Sequence, residues 1–165
     1  MASKTLDDLF YETLKDIYYA ERQIVKALPK MARAAQDAKL KAAFEKHRDE
    51  TEGQIDRLKQ VFELIGKRAQ GKTCDAIEGI LSEGEEVIEE FKDNPALDAG
   101  LLAAAQAVEH YEISRYGTLR AWAQQLGLKE AASLLEQTLA EESKTDDALT
   151  TLAKSAVNTA AQKAA

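Results

Sequence analysis

Glutamates stand where this sequence should bury apolar side chains. Glu21, Glu112 and Glu142 each fall inside a run of residues that is otherwise largely apolar at alternating three- and four-residue steps, and Glu50 lies at a comparable level of a fourth run. A carboxylate on the apolar face of a helix is strongly unfavourable unless a cation or hydrogen-bond donors compensate it. Glu21 lies about as far before the first predicted turn as Glu50 lies after it, and Glu112 and Glu142 stand in the same relation to the turn at Gly127. Folded as two hairpins, the four carboxylates converge on one layer. Two divalent cations bridged by carboxylates would neutralise such a layer, and hard oxygen ligands with some imidazole suit iron, with manganese as the alternative.

Two further residues sit on the same faces. His47 precedes Glu50 by three positions, and Glu109 precedes Glu112 by three, so each pair shares one side of its helix. Carboxylate-bridged centres in helical bundles use a Glu from each of two helices and a Glu-x-x-His pair from each of the other two. This chain departs from that pattern: Gly53 follows Glu50 by three and Thr145 follows Glu142 by three. The candidate ligand set is therefore Glu21, His47, Glu50, Glu109, Glu112 and Glu142. Glu141 and Glu142 are neighbours and only one can point at the centre; the three-four spacing favours Glu142. The competing readings are a Glu21 paired with Arg22 or a lysine, and a His47 that is a hydrogen-bonded core residue. Tyr18, Tyr111 and Tyr116 read as core or interface aromatics. His110 lies off the apolar stripe, facing solvent or a subunit contact, and Asp146 stands one turn beyond Glu142 as a residue supporting the ligands.

The elements that position these groups are helices. Only 8 Gly and 2 Pro occur among 165 residues, and Ala, Leu, Glu and Lys are abundant. A first helix is expected over about 5–36, capped by Ser3 or Thr5, with Leu14, Ile17, Glu21, Ile24, Leu28, Met31 and Ala35 as its inward stripe and Pro29 as a kink. A second over about 39–65 carries Phe44, His47, Thr51, Gln54, Leu58, Val61 and Ile65. Helices from about 96 to 126 and from about 128 onward form the second hairpin. Adding 91 to the residue number lays one hairpin on the other: Ile17 falls on Val108, Leu28 on Leu119, Phe44 on Leu135 and Leu58 on Leu149. In the same frame Glu21 falls on Glu112 and Glu50 on Glu141, so at that position the repeat favours Glu141. Between the hairpins lies a long connection, 66–95, with a short acidic helix from about Cys74 to Phe91. One long crossover is what a ferritin-like four-helix bundle requires. The expected architecture is thus a single all-α, ferritin-like domain: hairpin 5–65, crossover 66–95, hairpin 96–157 and a frayed, Ala-rich tail.

Composition narrows the function classes. The formal net charge of −7 argues against a nucleic-acid partner, which would call for clustered Lys and Arg. The lone Cys74 rules out an internal disulfide and a cysteine-based zinc site. No run approaches the roughly 20 apolar residues of a membrane span, and residues 1–8 carry no apolar signal region. A cytoplasmic protein with no membrane partner is expected.

The stretches Tyr19-Ala20-Glu21-Arg22-Gln23, His47-Arg48-Asp49-Glu50-Thr51, Val108-Glu109-His110-Tyr111-Glu112 with Tyr116-Gly117-Thr118-Leu119, and Leu139-Ala140-Glu141-Glu142 resemble the YciE/YciF family of bacterial ferritin-like proteins. The resemblance runs from about Thr5 to Ala153. It implies a rubrerythrin-like, dimeric bundle with a two-metal centre and a role in bacterial stress response. Peroxide or oxygen chemistry of a di-iron oxidase, peroxidase or catalase-like kind follows as an expectation, though the resemblance supplies no reaction. The Cys pairs of a rubredoxin-like electron-transfer module are absent from the sequence. The alternative is a non-catalytic structural or interaction bundle whose central acids pair with Arg and water. Iron storage in a hollow shell is a third, weaker reading.

Overall fold

The computed structural model describes residues 2–163. Five long or medium helices account for most of it: α1 (Leu6–Ala34), α2 (Ala38–Leu64), α3 (Asp75–Glu90), α4 (Leu97–Gln125) and α5 (Lys129–Leu152). A π-helical turn, Ala153–Val157, then leads into the short α6 (Asn158–Lys163). Short turns at 35–37 and 126–128 make α1/α2 and α4/α5 antiparallel pairs. The pairs close into a bundle because α1 packs on α4 and α2 on α5, while α3 lies across α1 and α4. No helix among the described residues is long and apolar enough to cross a membrane.

The helix ends follow from local chemistry. The Thr5 hydroxyl accepts from the Asp8 amide, and the Asp8 carboxylate accepts from the Thr5 amide at 2.8 Å, a reciprocal cap at the start of α1. Asp37 caps α2 by accepting from the amides of Lys39 and Leu40. Gly127, at φ 73°, supplies the left-handed residue that turns α4 into α5. Asp98, buried in the first turn of α4, accepts from the amides of Gln36 and Asp37 at 2.8 and 2.7 Å. It thereby ties the α1–α2 turn to the other hairpin.

The three-four stripes point inward. Every stripe residue of α1 from Leu14 to Ala35 is buried, and so are those of α2 from Phe44 to Val61. α1 runs through Pro29 as one helix. In α3 Ile77 is fully buried, whereas Ile80, Leu81, Val87 and Ile88 are half-buried, because α3 covers a face of the bundle and does not enter it. The expected fraying of the tail is a correction. Residues 153–163 stay helical, with Ala153 and Val157 buried one turn apart. The last two residues of that expected tail, 164 and 165, lie outside the described residues.

α3 approaches α4 closely through small residues. A Cβ on Gly100 would sit 2.6 Å from a methyl carbon of the stiff, β-branched Val87, whereas nothing lies within 4 Å of a Cβ on Gly53 in α2. Both substitutions gain roughly 1 kcal/mol of helix propensity, but overpacking at Gly100 costs roughly 1–3 kcal/mol. Denaturant unfolding should therefore show Gly53→Ala more stable than the parent by about 0.5–1 kcal/mol and Gly100→Ala less stable by about 1 kcal/mol. A stabilised Gly100→Ala would mean that α3 does not press on α4 as described.

Candidate metal centre

All four bundle helices contribute at mid-length to one layer. α1 brings Glu21, between the buried Ile17 and Ile24; α2 brings His47 and Thr51; α4 brings Glu109, Glu112 and Tyr116; α5 brings Thr138 and Glu142. Steps of three and four hold each set on the inward face of its helix. The four glutamates have no exposed surface and His47 is 3% exposed.

One ligand atom from each of His47, Glu109, Glu112 and Glu142 lies within 4.8 Å of the others. His47 Nε2 is 2.9 Å from Glu109 Oε1, 3.8 Å from Glu142 Oε2 and 3.9 Å from Glu112 Oε2. The closest of these is near enough for an ion pair, yet its angle is not that of a hydrogen bond, so Nε2 remains without a partner. The Tyr116 hydroxyl donates to Glu21 Oε1 at 2.6 Å and leaves Oε2 facing the layer. Eight buried polar atoms from five side chains of this layer lack partners: Glu21 Oε2, His47 Nε2 and both oxygens of Glu109, Glu112 and Glu142. Native interiors rarely leave such groups orphaned, and ordered water or an ion is the usual reason when they do. The donor set, carboxylate oxygens with one imidazole, suits a hard or borderline divalent cation. The residues present therefore fit a metal centre.

The other sequence candidates lie elsewhere. Glu50 stands at the rim, its side chain 26% exposed, accepting from the Thr145 hydroxyl at 3.3 Å and lying 3.5 Å from Lys46 Nζ. It is one position from the inward-facing Thr51, and one residue rotates a helix by about 100°. Glu141 is held by Arg57 through two contacts, at 2.8 and 2.5 Å, and by Gln54 at 3.1 Å, so of the neighbouring pair Glu142 faces inward. His110 is exposed and meets Asp146 on the surface at 3.1 Å, while Gln106 also donates to Asp146. Tyr18 packs edge-on against Phe62, and Tyr111 donates to Asp16 beside Cys74. The contact that sequence reading misses is Tyr116 to Glu21; the one available signal is that Tyr116 follows Glu112 by four on the same stripe.

Among the ligands the repeat relates only Glu21 and Glu112. Shifted by 91, His47 falls on Thr138, Thr51 on Glu142 and Tyr18 on Glu109. The second hairpin thus supplies three of the buried carboxylates, and the first supplies Glu21 and the imidazole.

Burial sets the electrostatics. It pushes the Glu21 carboxyl up to about 7, with the Glu142 charge adding to the rise and the adjoining Glu112 carboxyl and the Tyr116 hydroxyl opposing it. Burial also pushes Glu109 up to about 8, and raises Glu112 and Glu142 well above the ordinary glutamate range, reinforced by the neighbouring carboxylates.

This layer defines the chain as a helical bundle with a buried carboxylate–histidine centre. The chain belongs to the DUF892 family, described as a domain of unknown function, whose model matches residues 5–162. It is 48% identical to the protein YciF of Escherichia coli (strain K12) over 166 residues, covering all of both chains. The crystal structure of the E. coli stress protein YciF superimposes with a TM-score of 0.90 at 49% identity, over 94% of this chain and 99% of that one. YcfI from Rhodopseudomonas palustris gives 0.88 at 47% identity, over 90% and 94%. A protein from Xanthomonas campestris pv. campestris shares the fold, at a TM-score of 0.75 and 24% identity over 96% and 98%.

The raised carboxyls fix the sign of a pH effect. Between pH 4.5, the ordinary glutamate value, and about 7–8, the folded protein without metal holds protons that the unfolded chain has released. Folding then takes up protons, so stability is greatest below that window and is lost as pH rises through it. Urea unfolding of the metal-free protein should show a fall from pH 5 to pH 8, and Glu112→Gln should flatten the fall and gain roughly 1–3 kcal/mol at pH 8. A metal-free profile that rises over this range would contradict the burial of these carboxyls.

Proposed function

We propose that this chain is a ferritin-like protein with a carboxylate-bridged dinuclear centre of iron, or of manganese in its place. The observation that carries the reading is the single layer of eight unpartnered polar atoms. Glu21, His47, Glu109, Glu112 and Glu142 would hold the metals, and Glu50, now at the rim, would join them only by turning inward. Bound iron or manganese would supply the redox chemistry by which peroxide or oxygen is consumed.

The chain's own residues prepare the layer. Tyr116 fixes Glu21 by donating to one oxygen and turns the other inward. Arg57 and Gln54 hold Glu141 away, so that its charge is not added to the interior. The apolar residues above and below, Ile17, Ile24, Leu119 and Leu135, exclude bulk water and strengthen every charge interaction inside. YciF is called a stress protein; a dimeric, cytoplasmic stress protein is the corresponding proposal here, tested by mass measurement in solution.

A metal-free structural bundle is the competing reading. It is favoured by the outward Glu50, which leaves the first hairpin with only Glu21 and His47 to offer the layer. The two readings predict opposite responses. Metal binding to the folded state alone stabilises it, by about 2.7 kcal/mol at a hundredfold excess over Kd. Anaerobic ferrous iron, or manganese(II), should raise the melting temperature of the parent at pH 7 and leave that of the Glu21→Ala/Glu112→Ala protein unchanged. Fewer than about one metal per chain after metal-replete purification, with no such rise, would favour the structural bundle.

A further inference from the structure

Two pockets run in series from the surface to the layer. The outer is a groove of about 390 Å³ between α1, α3 and α4. Its mouth carries Lys26, Lys30, Glu78 and Glu85, and its floor is apolar. The inner has a volume of only about 10 Å³. Ala27, Met31, Leu81 and Val108 line both, so they form the wall that the two share. Beyond that wall the inner pocket is bounded by Ile24, Leu28, Ala105 and His47. His47 is the one polar residue of that lining, and its Nε2 faces Glu109.

We infer that this passage is the entry by which an uncharged molecule of about the size of dioxygen reaches the buried layer, with Leu81 as its door. Size and solvation select the molecule that can pass. A volume of about 10 Å³ holds one water-sized molecule and no more. An apolar lining offers an ion nothing in exchange for its hydration shell, so charged species are turned back. Leu81 is suited to gate because it comes from α3, which covers the bundle from outside, and because it is half-buried with room to move toward the groove. Met31, an unbranched and adaptable side chain, faces it across the passage from α1. The purpose of the passage rests on the metal reading above, but the passage itself belongs to the apolar protein matrix and is measured without metal.

The first measurement uses metal-free protein with dissolved dioxygen, a paramagnetic probe, and methyl NMR. Relaxation of the Leu28 and Val108 methyls should be enhanced well beyond that of Leu14 and Leu58, which are also buried but line neither pocket. Leu81→Trp, and independently Ala27→Leu, should bring the Leu28 and Val108 enhancements down to the Leu14 level. The second measurement uses protein loaded with ferrous iron. Both variants should bind iron as the parent does, and their iron should be oxidised by dissolved oxygen about tenfold more slowly. Equal enhancement at all buried methyls, or enhancement unchanged in both variants, overturns the passage whether or not metal binds. Enhancement that both variants abolish, in a chain that takes up no iron, sustains the passage and removes the metal reading instead.

Discussion

Four carboxylates without solvent are the constraint on which the rest of this structure depends. Each would be cheap on the surface; together in one layer they repel one another in a medium that screens poorly. The surrounding sequence limits the damage by subtraction as much as by pairing. The Glu141 charge is drawn to the flank by Arg57, Glu50 is turned to the rim beside Lys46, and hydroxyls of Thr51, Thr138 and Tyr116 complete the layer where further acids would have deepened the penalty. What remains is a minimal set of unpartnered groups, all aimed at one small volume. A layer that served only as core would be better filled by leucine, as it is one step above at Leu119 and Leu135.

Much of this is legible in the sequence, for a reason specific to helices. A step of three or four residues fixes which side of a helix a residue occupies, so Glu21, His47, Glu109, Glu112 and Glu142 can be assigned to the interior before any coordinates exist. Level along the bundle follows from counting residues from the turns. Level without angle is insufficient, and Glu50 illustrates it: at the right height, it is rotated to the edge because Thr51 occupies the inward direction. The hydroxyl bond from Tyr116 to Glu21 was illegible because it joins α4 to α1, and no spacing within one helix reports on the azimuth of another. The ordered tail escaped for a similar reason, since Ala153 and Val157 are too small to announce a stripe, yet sit one turn apart against the body of the bundle.

The internal repeat has diverged where chemistry is concentrated and persisted where packing is. Apolar positions superimpose after the 91-residue shift, whereas of the ligands only Glu21 and Glu112 match, and His47, Glu109 and Glu142 meet Thr138, Tyr18 and Thr51. Packing asks only for a side chain of suitable volume and tolerates exchange among apolar residues. A ligand position asks for a particular donor. The family relationship to YciF therefore bears on the whole fold, while the layer must be judged on the side chains that this chain presents.

Asp98 has a consequence beyond the two hydrogen bonds it accepts. It lies 14 residues before Glu112 on α4, which is about 21 Å along the helix axis. At that distance it contributes nothing to the layer directly. But by gripping the amides of Gln36 and Asp37 it sets the axial zero of one hairpin against the other, as an index mark does on two sliding scales. A slip of a single residue would offset the helices by about 1.5 Å, comparable to the spread of distances among the converging ligand atoms. The alignment of the layer is thus held from the end of the bundle, by a carboxylate whose own role is purely metrical.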